Sequence, residues 1–159
     1  MAEAVAFVRR STSMAPQSET RVRAKLVERG WSTAVVQRAL DRARRERIVD
    51  DEALAAALVD ERRAKGHAPA RIRRDLAERG FTSESLDAAL EAAEAQDLEA
   101  AAFAVAREKA ERVTGLAAES AYRRVVGHVL RRGYPDGLAR KVAREAVFAT
   151  REDERSAER

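Results

Sequence analysis

Apolar residues stand four apart at three places along the chain: Val22 and Leu26, Ile72 and Leu76, Val125 and Val129. That spacing puts both side chains of each pair on one face of a helix. Four residues after each pair comes a glycine, Gly30, Gly80 or Gly133, and then an aromatic, Trp31, Phe81 or Tyr134. Glycine adopts the left-handed conformation that ends a helix. Each pair therefore predicts a helix that stops at the glycine, with the aromatic folding back onto the apolar face. Short polar turns follow, Ser32-Thr33, Thr82-Ser83 and Pro135-Asp136, which carry residues suited to capping a second helix. Its apolar positions are Val35, Val36, Ala39 and Leu40 in the first case, Leu86, Ala89 and Leu90 in the second, and Leu138 and Val142 in the third.

The three segments are copies of one another. Residues 21–31 read RVRAKLVERGW, residues 71–81 RIRRDLAERGF, and residues 124–134 RVVGHVLRRGY. They align through Arg21, Arg71 and Arg124 at the start, and through Arg29, Arg79 and Arg132 before the glycine. Internal repetition at this period signals stacked units that cannot bury a core alone.

A third helix is predicted ahead of each pair. Asp50 is placed to cap a helix running to about residue 65, with Val49 and Leu54 as a hydrophobic staple and Gly66 as the stop. Pro69 suits the first turn of the next helix. Residues 97–114 repeat this role, with Phe103 and Val113 on the inner side and Gly115 at the end, and residues 2–10 are the counterpart in the first copy. The stretch STSMAPQS, residues 11–18, reads as a flexible linker, and REDERSAER, residues 151–159, as a polar tail expected to be disordered. The expectation is an all-α chain of three tandem three-helix repeats over residues 1–47, 48–97 and 98–150.

Composition agrees with thin helix-on-helix contacts: aromatics are 4% of the chain and charged residues 36%. The chain has no cysteine, which excludes disulfides and thiolate chemistry. Residues 1–10 hold only a short apolar run broken by Glu3, so neither a signal peptide nor a membrane span is expected, and a cytoplasmic location is. The net charge of +4 is uneven: residues 1–47 hold 11 Lys/Arg against 5 Asp/Glu, residues 48–97 hold 7 against 12, and residues 98–159 hold 13 against 10. A polyanionic partner fits the ends better than the middle.

Little in the chain suggests catalysis. Asp50-Asp51-Glu52 reads as a helix start with acids near the positive helix end, not as a metal or acid/base site. His67 and His128 lie far apart in sequence with no closely spaced ligand to complete a metal set. No phosphate-binding glycine loop or nucleophile elbow is present. No enzyme activity, cofactor or metal is therefore expected. The helix–turn–helix pairing raises base-reading DNA recognition, but its second helix is acidic in the middle copy, leaving phosphate contacts by the arginine-rich first helices. The aromatics after the glycines read as plugs of helix junctions before base-stacking platforms.

Residues 48–81, IVDDEALAAALVDERRAKGHAPARIRRDLAERGF, resemble the most characteristic stretch of the RecX family. There an aspartate pair opens a helix, an arginine closes it, and a glycine-proline turn leads to Arg-Ile and a Leu-x-x-x-Gly ending; here these are Asp50, Asp51, Arg62, Gly66, Pro69, Arg71, Ile72, Leu76 and Gly80. Leu54 stands where the family usually has an aromatic, Ala68 where it often has a second glycine, and Asp75 where it has glutamate. The resemblance implies an elongated, curved array of three-helix modules. Such an array would act without catalysis, docking in the helical groove of the RecA filament on single-stranded DNA. There it would limit filament extension, ATP hydrolysis, strand exchange and the coprotease activity toward the LexA repressor. The Ala-rich helix faces fit a monomer, which is expected. Contact candidates around the glycine-proline turn are Arg62, Arg63, Lys65, Arg71, Arg73 and Arg74. In the last copy they are Arg131, Arg132, Arg140, Lys141 and Arg144, and either set could meet acidic RecA surface or DNA phosphate. The alternative is a helical DNA-binding protein acting without RecA.

Overall fold

In the computed structural model, residues 1–91 and 97–157 are described, and among them all regular structure is helical. The helices are α1 (Ala2–Met14), α2 (Glu19–Glu28), α3 (Thr33–Arg45), α4 (Asp51–Ala64), α5 (Pro69–Ala77), α6 (Ser83–Glu91), α7 (Leu98–Glu111), α8 (Ala118–Arg131) and α9 (Asp136–Ala157). The fold is all-α, and its succession of helices is consistent with three sets of three. The chain divides into two compact units, Met1–Asp60 with Arg73–Ala92, and Glu61–Ile72 with Ala93–Arg159. Helices α4 and α5 thus contribute residues to both.

In the first unit, α1, α2 and α3 bury one aliphatic core: Ala4, Val5 and Val8 from α1, Val22 and Leu26 from α2, and Val36, Ala39, Leu40 and Ala43 from α3. The left-handed turn expected at Gly30 is present, with φ 83°. Trp31 then packs on Phe7 with ring centroids 5.5 Å apart, and the Arg29 guanidinium covers the Phe7 ring. Thr82 caps α6, its hydroxyl oxygen accepting from the Ser85 N–H at 3.3 Å, whereas Ser32 opens α3 without a side-chain bond.

The expected linker at residues 11–18 is helical in its first part. Residues 11–14 extend α1, where the Thr12 and Ser13 hydroxyls donate to the Val8 and Arg10 carbonyls at 3.0 Å and so stay compatible with the helix. The chain leaves the helix at Ala15. Gln17 Nε2 donates to the Ser11 carbonyl at 2.6 Å, and the buried Ser18 caps α2 through the Arg21 N–H.

The aspartate pair starts helices, as expected, but not one helix only. Asp50 Oδ1 accepts from the Ala53 N–H at 3.0 Å, capping α4, while Asp51 Oδ1 accepts from the Glu19 N–H at 2.8 Å at the start of α2. Burial raises the Asp51 pKa above the ordinary carboxylate value, a shift opposed by that hydrogen bond. No group of three or more potential metal ligands occurs among the described residues.

The second unit rests on α7, α8 and α9. Ala102, Ala106 and Ala110 of α7 and Ala139, Ala143 and Ala146 of α9 belong to one core cluster with Val125, Val129 and Tyr134. Small side chains four apart let helix axes approach closely. Asp97 caps α7 by accepting from the Glu99 N–H at 2.9 Å. Gly115, expected to end this helix, lies beyond its end and does not have a positive φ. The helix stops at Glu111, and tight turns (Arg112 N–H to Lys109 C=O, Val113 N–H to Ala110 C=O) fold Val113 into the core first.

In the expected polar tail, α9 continues to Ala157. Extending an existing helix carries no nucleation cost, and the segment has no glycine or proline to stop it. Arg151 Nη2 donates to the Leu116 carbonyl at 2.7 Å, and Asp153 lies 3.9 Å from Arg107. Residues 158–159 lie outside the described part. No helix among the described residues is long and apolar enough to cross a membrane.

Candidate interaction groove

The second unit holds a groove of about 1000 Å³. It forms where the turn after α4 meets the turn before α9. Two glycines make that approach possible. Gly66 (φ 73°) ends α4, and a Cβ there would lie 2.6 Å from Val105 Cγ2; Gly133 (φ 94°) ends the α8 segment, and a Cβ there would lie 2.5 Å from Arg71 Cβ. With no Cβ in the way, the Ala68 N–H donates to the Arg132 carbonyl at 2.8 Å. Arg132 Nη1 donates in turn to the Lys65 carbonyl, and Arg71 Nη1 to the Arg131 carbonyl.

The first unit makes the same kind of junction one copy earlier. The carbonyl of Arg79, aligned with Arg132, accepts from Ser18 Oγ at 2.7 Å, and Ser18 stands 50 residues before Ala68. Gly80 (φ 87°) leaves room there for Ser18 and Thr20. In both units the glycine turn of one copy docks on the start of the first paired helix in the copy before it. Gly30 has open space around it, with nothing within 4 Å of a Cβ placed there.

The two junctions differ in filling. The first is lined by Pro16, Gln17, Ser18, Arg21, Leu54, Leu58, Arg79 and Phe81 and leaves about 50 Å³. Counting α4 from Asp50 and α7 from Asp97, Leu54 corresponds to Ala101 and Leu58 to Val105. Smaller side chains therefore stand in the second junction where leucines fill the first.

Cations also line the groove: Arg63, Lys65 and Arg132, with His67 and His128, beside one lining carboxylate, Glu108, while Lys65 pairs with Glu61. The positive field is felt locally. Burial lowers the His128 pKa below the ordinary histidine value, and the charges of Arg132, Lys109 and Arg131 lower it further. Burial raises the Tyr134 pKa, against the effect of Arg132 and Arg63.

Of the contact candidates, Arg63, Lys65 and Arg132 are brought together at the groove, and Arg71 and Arg131 join the same pair of turns through backbone carbonyls. Arg62 is half-buried on α4 in that unit. On α9, Arg140 pairs with Asp136 at 2.7 Å, Lys141 with Glu99 at 2.6 Å, and Arg144 is exposed. Arg73 and Arg74 fall within the first unit, where Arg73 pairs with Asp87 and Arg74 is exposed. The sequence reading missed the aliphatic wall, Leu98, Ala101, Ala104 and Val105. Its signal was present in the comparison of the helices that Asp50 and Asp97 open. The aromatics behave as plugs: Phe81 and Tyr134 are buried.

A protein named regulatory protein RecX, from Thermobifida fusca (strain YX), is 32% identical over 149 residues, covering 93% of this chain and 80% of that protein. The chain belongs to the RecX family. The RecX second three-helix domain matches residues 50–90, the stretch of α4 to α6. A second RecX relative, from Corynebacterium efficiens, is 31% identical over 95% of this chain and 77% of its own length. Among solved structures, RecX from Lactobacillus salivarius superposes with a TM-score of 0.71 at 13% identity, covering 93% of this chain and 99% of that one. A further crystal structure of regulatory protein RecX gives a TM-score of 0.67 at 20% identity over 89% of this chain and 70% of that chain. At such identities these two structures speak for the RecX fold. The RecX relatives are named as regulators, in keeping with a chain whose conspicuous site is a groove.

Proposed function

We propose that this chain is a non-enzymatic, monomeric regulator that binds the RecA filament on single-stranded DNA in the cytoplasm. It inhibits filament extension, ATP hydrolysis, strand exchange and coprotease activity. The observation that carries this reading is the likeness to a protein named regulatory protein RecX over 93% of the chain. The groove and the exposed cations support it. Among the described residues, Arg74, Arg131 and Arg144 are exposed and make no side-chain ion pair, so their charges are available to acidic protein surface or to phosphate. No active site is required, because preferential binding to one state of an assembly shifts its equilibrium.

The test is single-stranded-DNA-dependent ATP hydrolysis by RecA, with and without this chain. Hydrolysis falls as the chain is added, and Arg74→Ala with Arg131→Ala and Arg144→Ala weakens the effect without unfolding the protein. Unchanged hydrolysis with a well-folded sample overturns the reading. Tight, sequence-selective DNA binding in the absence of RecA would replace it with a DNA-binding protein.

A further inference from the structure

The two glycine-turn junctions follow one docking rule, yet one is filled and the other open. In the first unit Leu54 and Leu58 occupy the space, leaving about 50 Å³. In the second, Ala101 and Val105 stand at those positions and about 1000 Å³ remains, flanked by Leu98, which is 41% exposed. Smaller aliphatic side chains leave this junction less filled than the first. Arg63, Lys65 and Arg132 line it as well, with Glu108 as the carboxylate among the lining residues and Lys65 paired with Glu61 beside them.

We propose that this groove seats an acidic segment of a partner protein that carries an aliphatic side chain. The aliphatic group enters where Leu54 and Leu58 stand in the first unit, and flanking carboxylates meet Arg63, Lys65 and Arg132. This deepens the reading of the chain as a protein-binding regulator and rests on it. The wall chemistry selects a peptide over nucleic acid. Strand binding draws on exposed rings on which bases stack, and none of the groove's rings is exposed: Tyr134 is 4% exposed, and His67 and His128 are half-buried. An aliphatic wall beside cations matches a leucine between carboxylates, since the leucine loses water contact while the carboxylates form charge-assisted hydrogen bonds with the guanidinium groups.

The repeat supplies its own test. Ala101→Leu restores the side chain present in the first unit and occupies the position that the partner's aliphatic group would take. Ala104→Glu sets a carboxylate on the exposed part of the wall, and Ala100→Glu is the control, exposed on the same helix but outside the groove. The probe is a fluorescein-labelled 12-residue peptide of aspartate and glutamate with two leucines, titrated by anisotropy into the full chain. The expected result is saturable binding, weakened at least tenfold when the leucines become serines, weakened at least tenfold by Ala101→Leu and by Ala104→Glu, and unchanged by Ala100→Glu. Thermal unfolding by circular dichroism verifies that each variant is folded.

Peptide binding unaffected by Ala101→Leu in a folded variant overturns the proposal. So does an oligothymidylate that binds the groove in preference to the peptide, or self-association of the chain that Ala101→Leu abolishes, which would assign the groove to a second copy. RecA ATPase inhibition retained in a wild type that ignores the peptide sinks the groove proposal alone. Peptide binding with unchanged RecA hydrolysis sinks the RecA reading alone.

Discussion

Replacing Gly30, Gly80 and Gly133 by alanine applies one perturbation in three surroundings. All three glycines hold the left-handed backbone, at φ 83°, 87° and 94°. That conformation costs an L-residue roughly 1–2 kcal/mol, a penalty common to the three variants. The steric part differs. Nothing lies within 4 Å of a Cβ at Gly30; Ser18 Oγ and Thr20 Cβ lie 3.1 Å from one at Gly80; Arg71 Cβ lies 2.5 Å from one at Gly133, with Arg71 Cα and N at 3.5 Å. The Ser18 and Thr20 side chains can yield by a few tenths of an ångström. Arg71 Cβ is tied to the α5 backbone, so relief there must separate the two turns and weaken the Ala68–Arg132 hydrogen bond. Overpacking of this kind costs about 1–3 kcal/mol, and the bond about 1 kcal/mol more. The expected order of destabilisation is Gly133→Ala, then Gly80→Ala, then Gly30→Ala, with the extremes about 2–4 kcal/mol apart. Urea unfolding followed by circular dichroism, with Trp31 fluorescence as a second probe for the first unit, measures it. Equal losses at Gly30 and Gly133 would refute the claim that the Gly133 turn docks on the preceding copy.

Ser18→Ala removes a buried hydroxyl that caps α2 and donates to the Arg79 carbonyl; a loss of about 1–2 kcal/mol is expected in the same unfolding assay. Asp51→Asn keeps an oxygen for the Glu19 N–H and removes a charge that burial disfavours. Its unfolding midpoint at neutral pH should stay near wild type, while Asp51→Ala loses about 1 kcal/mol. His128, whose folded pKa is lowered from 6.5, makes stability fall as pH drops below that value, because the unfolded chain takes up the proton first; the loss levels off once pH passes the folded pKa. His128→Gln should flatten this part of the stability–pH profile, and an NMR titration of the ring should place its midpoint below the ordinary histidine range.

Most helices were legible because their signals are local. The four-residue spacing of Val22 with Leu26 or Ile72 with Leu76, and the cap at Asp50, depend on nothing beyond one turn of chain. What the sequence did not reveal depended on tertiary contact. Residues 11–14 look like a linker until Gln17 reaches back to Ser11 and Ser18 meets Arg79. Gly115 looks like a stop until burial of Val113 ends the helix earlier. Arg47 takes a left-handed φ of 49° with no residue type to announce it. At the groove, the kinds of cation were legible but not their grouping, since Arg63 and Lys65 reach Arg132 only through the paired glycine turns. The aliphatic wall was hidden because alanine and valine at Ala101 and Val105 read as ordinary helix residues until they are set beside Leu54 and Leu58.

That difference also carries a stability argument. A leucine side chain taken fully out of water contributes about 1.5–3 kcal/mol, and at a half-buried position such as that of Leu54 roughly half is realised. With alanine at the equivalent place, the second unit forgoes about 1 kcal/mol of apolar burial, and its turns are held by Ala68, Arg71 and Arg132 hydrogen bonds instead. If the groove is kept open for a partner, Ala101→Leu should raise the unfolding temperature of the second unit by roughly 4–8 °C while it removes peptide binding. A gain in stability together with a loss of binding is expected where small residues are retained for function. If Ala101→Leu instead destabilises the unit, the opening is not a space that leucine can fill. The correspondence of the two junctions would then fail as the explanation of the groove.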